Sequence, residues 1–214
     1  MSLIEPVVLG GDAPAPPPDR KSRILDAAER CFVRTGFHRT TMQDVAGECA
    51  MSPGNLYRYF ASKDDLVAGL AGRDREQMQT DFAQLLGSPD PLKTFIALGR
   101  RHLVEEPRSK SIMMQEIWAE ASRNPRIAAL SAAMDRAICT YMADFVSMWR
   151  VSNGVTGHGT PADVARLIMA LADGLCRRRA TDIEFDPASN FELALPVIFH
   201  MVGASPAALF EVLS

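Results

Sequence analysis

The 214-residue sequence lacks the segments that direct a protein into or across a membrane. No apolar run approaches the roughly 20 residues that a membrane-spanning helix needs. The N-terminus has neither the basic segment nor the long apolar segment of a secretory signal. These absences predict a cytoplasmic protein with no membrane partner.

Metal and catalytic motifs are also missing. The four cysteines are scattered without a C-x-x-C pair, and the four histidines show no H-x-H or H-E-x-x-H spacing. No nucleophile motif, phosphate-binding glycine loop or dinucleotide fingerprint occurs. We therefore expect no metal site, no cofactor and no enzymatic activity, and we expect the cysteines to pack as small apolar residues.

Positive charge is in slight deficit overall but is concentrated near the N-terminus. The chain has a net charge of -3, whereas residues 20–63 hold eight Lys and Arg against four Asp and Glu, which makes that segment +4 and the remainder -7. A basic segment on an acidic body suggests a surface that binds a polyanion. A solvated run of charges is the alternative, and charge alone does not decide between them.

Strand-like alternation is absent, whereas apolar residues recur at helical spacing from residue 22 onward. The fold class is therefore predicted to be all-α. Residues 1–19 are rich in Gly, Pro and Ala and predict a disordered arm. The predicted helices lie at about 22–35, at about 41–49, briefly from Ser52, from Ser62 to about 87, and at about 90–105, 109–122, 125–150, 161–179 and 188–203.

The stretch MSPGNLYRYFASK raises the question of how so short a helix is held in place and what its polar face does. An isolated helix of two turns is marginal in water, so neighbouring helices must hold it through Leu56 and Phe60. Ser52 suits the N-cap and Pro53 the first helical position. With the helix at 41–49, this is the layout of a helix-turn-helix, whose second helix enters the major groove of DNA.

The run TTMQDVAGECAMSPGNLYRYFASKDDL resembles the DNA-binding domain of the TetR family of transcriptional regulators. That family's run is roughly a Thr followed by I/V-A-x-x-A-G-V-S-x-G-x-L-Y-x-Y/H-F-x-S/N-K-x-x-L. The upstream ILDAAERCFVRTGFHRTT is similar to the family's first helix and the loop behind it. The resemblance implies an N-terminal three-helix helix-turn-helix domain at residues 20–65 and a larger C-terminal helical domain for ligand binding and dimerisation at residues 66–214.

The resemblance also implies which residues contact DNA. The positions that read bases, with the N-cap beside them, correspond to Gln43, Ser52, Pro53, Gly54, Asn55 and Tyr57. The positions that grip the DNA backbone correspond to Thr41, Tyr59 and Lys63. Ordinary half-buried packing is the alternative for the two tyrosines. The assignment of Gly54 to the DNA contacts has a second basis that does not depend on the resemblance. A residue without a side chain lets the backbone approach DNA closely. Arg58 occupies a variable position, and its role stays open.

The turn between the two helices departs from the family's pattern. Cys49, Ala50 and Met51 stand where the family has Ala, Gly and Val. If the turn residue adopts a positive φ, Ala50 is strained by about 1 kcal/mol. This leaves the turn geometry open, although not the identity of the motif.

The acidic body is weakly similar to the C-terminal domains of the family's betaine-regulator-type subgroup, in EIWAEASRNPRIAAL and LIMALADGLCRRRATD. In this family the last two long helices of each subunit form a four-helix bundle across the dimer. Pro196 is predicted to kink the second of these helices or to set its start. The implied dimer interface comprises Leu167, Leu171, Leu175, Val197 and His200, together with Ile168, Leu193 and Phe199.

A methionine-rich and aromatic set at helical spacing predicts a pocket for an apolar or aromatic small-molecule effector, since flexible thioethers suit adaptable binding. Plain core packing is the alternative. The set comprises Met113, Met114, Ile117, Trp118, Tyr141 and Phe145. The candidates for orienting a polar group of the effector are Arg101, His102, Glu116 and Glu120.

The resemblance thus implies a ligand-responsive regulator that binds a palindromic operator in double-stranded DNA as a homodimer and is released by its effector. Repression of transcription is the leading interpretation of its effect on the target gene, and activation is the alternative. An alternative from another class is a dimeric helical interaction module without operator specificity, which the acidity of the chain and Ala50 favour slightly. A helical enzyme is the weakest interpretation.

Overall fold

The computed structural model describes residues 19–205, and within them every regular element is helical. The all-α prediction is therefore confirmed. No helix in this part of the chain combines the length and apolarity needed to span a membrane. The predicted arm at 1–19 lies outside the described residues except for Asp19, whose carboxylate caps the first helix by accepting the N–H of Ser22 at 2.7 Å.

The helices follow one another with short connections. The first four are α1 (Arg20–Thr35), α2 (Met42–Glu48), α3 (Pro53–Tyr57) and α4 (Lys63–Leu86). Next come α5 (Pro91–Arg100), a π-helical turn (Arg101–Glu105), α6 (Arg108–Ala121), α7 (Pro125–Asn153), α8 (Pro161–Thr181) and α9 (Pro187–Val202). The bounds agree with the predicted ones to within a few residues, except that the π-helical turn ends the helix predicted to run on from α5.

Proline marks the start of several helices. The first helical position, where a missing N–H costs no hydrogen bond, is taken by Pro53, Pro91, Pro125, Pro161 and Pro187. The side chain before each of these prolines accepts backbone N–H bonds and caps the helix. These starts depend on adjacent residues only, and this explains why the sequence predicts them well.

A first hydrophobic cluster joins the N-terminal helices to the body, which is the larger helical part predicted from residue 66 onward. Its centre is formed by Phe32, Leu56 and Leu66, all fully buried. The same cluster includes Met113 of α6 and Ile127 of α7. Helices of the body therefore contribute directly to the core on which the helix-turn-helix rests.

A second cluster fills the body between α4, α5, α7, α8 and α9. The rings of Phe95 and Phe145 stack there with their centroids 4.8 Å apart. Helix α4 contributes to both clusters, with Leu66 in the first and Phe82 in the second. The predicted boundary between the two domains falls within this shared helix, and the division into domains stays a prediction.

A buried carboxylate holds the π-helical turn against α4. The side chain of Asp81 is 4% exposed, forms an ion pair with Arg101 and lies within hydrogen-bond distance of Nε2 of His102, at 3.0 Å. It also accepts a hydrogen bond from Gln77 at 3.0 Å. Burial alone would raise the pKa of Asp81, but the hydrogen bonds from Arg101 and the other two side chains outweigh it and lower the pKa below its usual value. The turn is also bonded to α8, because the guanidinium of Arg179 donates to the carbonyl groups of Leu103 and Val104.

Candidate nucleic-acid interface

Helix α2 begins at Met42 because Thr41 closes a capping box with Asp44. The Thr41 hydroxyl accepts the Asp44 N–H at 3.2 Å, and the Asp44 carboxylate accepts the Thr41 N–H at 2.8 Å. Hydrogen bonds from the Thr41 hydroxyl and N–H lower the pKa of Asp44. The helix ends in a left-handed turn at Ala50, which has a φ of 53°. The positive φ considered for this residue is thus present.

Helix α3 follows the turn and buries one side. The hydroxyl of Ser52 accepts the N–H of Asn55 at 3.3 Å, and Pro53 is the first helical residue. Leu56 is fully buried, and Phe60 is 9% exposed in the first cluster. Packing, rather than helix propensity, therefore holds a helix of only five residues.

The opposite side of α3 faces solvent. Tyr57 is 51% exposed, and a Cβ added at Gly54 would meet nothing within 4 Å. The backbone of α3 is therefore open to the approach of a large partner. Among the residues predicted to contact DNA, the exposed ones are Thr41, Gln43, Ser52, Pro53, Gly54 and Tyr57, and those of intermediate exposure are Asn55, Tyr59 and Lys63.

Tyr59 and Lys63 are engaged within the protein. Tyr59 packs against the first cluster. The Lys63 ammonium donates to the carbonyl oxygens of Phe37 at 2.6 Å and of His38 at 3.2 Å, and it lies 4.5 Å from the centre of the Phe37 ring. Burial lowers the pKa of Lys63. Of its three N–H donors, one is left for a phosphate.

Ion pairs divide the basic residues near the N-terminus into two groups. Arg30 and Arg34 bind the carboxylate of Glu48 at 2.8 and 3.0 Å, and the hydrogen bonds from these two arginines lower the pKa of Glu48. Arg39 and Arg58 are exposed and form no ion pair with any residue between 19 and 205. No local spacing in the sequence distinguishes Arg39 from Arg34, whose charge is neutralised by Glu48.

The residues predicted for the dimer interface divide by burial. Ile168 and Phe199 are buried in the second cluster and pack within the protomer. Pro196 lies inside α9, so the alternative that it sets the start of this helix is wrong; the helix begins at Pro187. An open cleft of about 420 Å³ between α8 and α9 is lined in part by Leu171. The exposed members of the set are Leu167, Leu171, Leu193, Val197 and His200, and Leu175 has intermediate exposure.

Four of the residues predicted for the effector pocket are divided between the two hydrophobic clusters. Met113 and Ile117 belong to or pack against the first cluster. Phe145 and Tyr141 belong to or pack against the second. These four side chains thus pack in or against the two clusters, and their role in a pocket stays a prediction. An open cleft of about 660 Å³ between the end of α4 and α5 is lined by none of the set. The remaining members are partly buried side chains of α6: Met114 and Trp118.

Of the four polar side chains predicted to orient an effector, Arg101, His102 and Glu116 are hydrogen-bonded within the chain, whereas the buried Oε2 of Glu120 has no hydrogen-bond partner among residues 19–205. Arg101 and His102 bind the buried carboxylate in α4. Glu116 of α6 instead accepts the N–H of Phe37 in the loop between α1 and α2, and Oε2 of Glu120 lies 3.3 Å from Nε2 of His38 in the same loop. None of the sequence patterns indicated these partners, because each pair is far apart along the chain.

Two family models match this chain. Residues 24–70, from α1 into α4, match the model described as bacterial regulatory proteins, tetR family. Residues 101–195 match the model of the C-terminal part of BetI-type transcriptional repressors. The first match contains the whole helix-turn-helix, and the second extends from the π-helical turn into α9.

Known proteins are similar over most of the chain. The HTH-type transcriptional regulator UidR of Escherichia coli (strain K12) is 27% identical over 155 residues, which are 72% of this chain and 79% of UidR. The HTH-type transcriptional repressor Rv1474c of Mycobacterium tuberculosis is 30% identical over 175 residues, covering 76% of this chain and 83% of that protein. The crystal structure of a transcriptional regulator from Saccharomonospora viridis in complex with choline has the same fold, with a TM-score of 0.71 at 22% identity over 84% of this chain and 94% of that one.

Proposed function

Because this chain belongs to the tetR family of bacterial regulatory proteins, we propose that it is a repressor that binds a palindromic operator as a homodimer. A small molecule that binds the body releases it from the operator. Proteins of this family are helix-turn-helix transcriptional regulators and not enzymes. The observation that carries the proposal is the exposed side of α3, where Gly54 and Tyr57 lie open above the buried Leu56.

The base-reading residues are Gln43, Asn55 and Tyr57. An amide side chain can bond an adenine edge with two hydrogen bonds, and a phenol can donate to or accept from a base. Gly54 and Pro53 let the start of α3 approach the floor of the major groove, because neither projects a long side chain. The assignment of these residues to base reading is supported by their exposure, which is intermediate for Asn55 and high for the others.

The phosphate contacts come from residues beside the reading helices. Tyr59 offers its hydroxyl group and Lys63 its remaining N–H, and Thr41 joins them by turning its hydroxyl proton from the Asp44 carboxylate to a phosphate. We add Arg39 and Arg58, whose charges are not neutralised by any carboxylate of residues 19–205. Such contacts fix the orientation of the protein on DNA but do not read its sequence.

The homodimer is formed through α8 and α9. Leu193 is 74% exposed, Val197 51% and Leu167 54%, which is unusual for large apolar side chains on regular helices. Leu193 and Val197 lie one turn apart on α9, as do Leu167 and Leu171 on α8. Two such faces related by a two-fold axis would cover each other and place two helix-turn-helix units on one operator.

The effector is an apolar or aromatic small molecule that binds the body near α6, where Met114 and Trp118 are partly buried. The structure of the Saccharomonospora viridis regulator is a complex with choline, which supports small-molecule binding by a protein of this fold. To move the protein from 99% DNA-competent to 99% incompetent, the effector must bind the incompetent state about 10⁴-fold more tightly. A molecule that binds both states equally would not release the operator.

The proposal is tested by fluorescence anisotropy of the purified protein on DNA from upstream of its own gene, against random competitor DNA, at two salt concentrations. We expect binding that resists competitor by at least about a thousandfold and weakens steeply with salt. If the protein shows no preference for that DNA over the competitor, its binding sequence is selected from random oligonucleotides. Failure of the selection to enrich any sequence would exclude the operator-binding function and favour the interaction module.

A further inference from the structure

The loop between α1 and α2 carries a dipeptide, Phe37–His38, that is held far more firmly than its position in a loop suggests. The Phe37 side chain is 4% exposed, and its ring lies 5.2 Å from that of Phe32, centroid to centroid. The dipeptide is followed after one residue by Thr40, which is 1% exposed, and then by Thr41, the N-cap of α2. A shift of the dipeptide would therefore shift the start of the helix-turn-helix.

Helix α6 of the body binds this dipeptide through one carboxylate and brings a second one close to it. Oε2 of Glu116 accepts the backbone N–H of Phe37 at 2.8 Å. Oε2 of Glu120 lies 3.3 Å from Nε2 of His38. A Cβ added at Gly36 would lie 3.1 Å from the same Glu116 oxygen, and Gly36 has a φ of 81°. Glycine at this position therefore permits both the turn and the close approach of the carboxylate.

Helix α4 completes the attachment from the other side. The Lys63 ammonium bonds the carbonyl oxygens of both Phe37 and His38 and lies over the Phe37 ring. The dipeptide thus has its N–H bonded to α6 and its carbonyl groups bonded to α4. Further along the loop, the Thr40 hydroxyl donates to the Gly36 carbonyl at 2.8 Å. The dipeptide is thus tied to α4 and α6, and the rest of the loop is bonded within itself, before α2 begins.

Glu116 is not required to hold α6 against the N-terminal helices, because apolar neighbours on the same helix already do so. Met113 is 2% exposed in the first cluster, and Ile117 packs against it. The Glu116 carboxylate adds a directional bond to one backbone N–H. A hydrogen bond to a charged group is stronger than a neutral one and has a fixed geometry.

We propose that Glu116 is a positioning residue for DNA binding, which acts through Phe37 to fix the angle at which α2 and α3 meet the major groove. It contacts no base itself. This inference rests on the proposed function, because it assigns to a residue of the body the orientation of the DNA-reading helices. Specific binding needs this orientation, whereas non-specific attraction to phosphates does not.

The test compares Glu116→Leu, Glu116→Gln and Glu76→Leu with the wild type. Leucine has a similar size but cannot accept the Phe37 N–H, whereas the glutamine amide oxygen can. Glu76, exposed on α4, is the matched control for the loss of one surface carboxylate. For each protein the affinities for the selected operator and for random DNA, the unfolding temperature and the hydrogen exchange of the Phe37 amide are measured.

We expect Glu116→Leu to weaken operator binding about tenfold or more, the equivalent of losing one charge-assisted hydrogen bond. Affinity for random DNA should not change, and the Phe37 amide should exchange faster. Glu116→Gln should retain most of the wild-type operator affinity. Glu76→Leu should match the wild type in operator affinity and in exchange of the Phe37 amide.

Three outcomes would overturn the inference. Glu116→Leu could bind the operator as the wild type does, its Phe37 amide could exchange at the wild-type rate, or it could lose operator and random-DNA affinity equally with a lowered unfolding temperature. The last result would assign Glu116 a purely structural role. These outcomes differ from failure of the proposed function, in which the wild type itself would prefer no DNA sequence and both proposals would fall.

Discussion

The backbone N–H of Met51 donates to the carbonyl oxygen of Ala46 at 2.8 Å and closes the turn between α2 and α3. The N–H of Ala50 donates to the carbonyl of Gly47 at 3.1 Å. These are the two bonds of a Schellman motif, which needs a left-handed residue at its C′ position. Ala50 supplies it with a φ of 53°, alone among the non-glycine residues between 19 and 205.

Replacing this strained residue should stabilise the protein. We expect Ala50→Gly to raise the free energy of unfolding by about 1 kcal/mol, because glycine adopts a positive φ without the clash that a Cβ brings. Urea denaturation at one fixed protein concentration measures the change. Ala119→Gly, at an exposed position inside α6, is the control and should lower stability by about 1 kcal/mol. A loss of stability in both variants would mean that Ala50 is unstrained.

The turn and its flanking helices could be predicted from the sequence because their determinants are local. Ser52, Pro53 and Ser62 act on residues within one helical turn of themselves, so their chemistry is visible in the order of the residues. Even the strain at Ala50 could be anticipated, since it depends on one residue in a turn of known geometry. The same holds for the exposed polar side of α3, which follows once Leu56 and Phe60 are assigned to the core.

The attachments between the body and the helix-turn-helix could not be predicted in this way. Glu116 and Phe37 are 79 positions apart, and their contact depends on how α6 packs against α1. Without knowledge of this packing, the polar residues of α6 are equally good candidates for binding a ligand. The pairing of Arg34 with Glu48 likewise depends on the packing of α1 on α2. Periodicity identifies the buried side of each helix but not which buried sides meet.

Arg39 and Arg34 should differ in their effect on DNA binding. Arg39→Ala should reduce the slope of log affinity against log salt concentration by about 0.9, the contribution of one phosphate contact on double-stranded DNA. Arg34→Ala should leave the slope almost unchanged, because the Arg34 charge is already paired with Glu48. Anisotropy titrations of one operator fragment over a range of salt concentrations measure both slopes. Equal slopes for the two variants would remove Arg39 from the phosphate contacts.

Asp81 should make the body sensitive to acid. Its pKa is lowered in the folded state, so its contribution to stability is complete above the unfolded pKa of about 3.9 and is lost as the pH falls through the folded value. We expect Asp81→Asn to cost about 2 kcal/mol near neutral pH, because it leaves Arg101 without its buried partner.

The cost of Asp81→Asn should shrink as the pH is lowered from about 5 through the unfolded pKa of about 3.9 towards the lower folded value, because protonation of the wild-type carboxylate removes the same interactions. Urea denaturation at several pH values in this range follows the difference between the two proteins. Asp144→Asn, at an exposed site of α7, should have little effect at any of these pH values. A difference between wild type and Asp81→Asn that stays constant with pH would show that Asp81 is not the titrating group.

Val197 offers the sharpest test of the dimer surface. Val197→Glu places a carboxylate on an α9 face that is proposed to be buried between two subunits, and the two-fold axis brings a second copy of the charge into the same interface. Removing two unpaired charges from water costs far more than the interface gains from the remaining contacts. We therefore expect the protein to sediment as a monomer at concentrations at which the wild type is a dimer, and to bind the full operator no better than a half-site.

Val151→Glu is the matched control for Val197→Glu, because Val151 is 80% exposed near the end of α7 and lies outside the proposed interface. Sedimentation velocity of this variant should give the wild-type dimer. If Val197→Glu also remains a dimer, the exposed side of α9 is not the contact between subunits. If both variants become monomers, the substitutions act on the fold rather than on the interface, and the unfolding temperatures of the two proteins would reveal this.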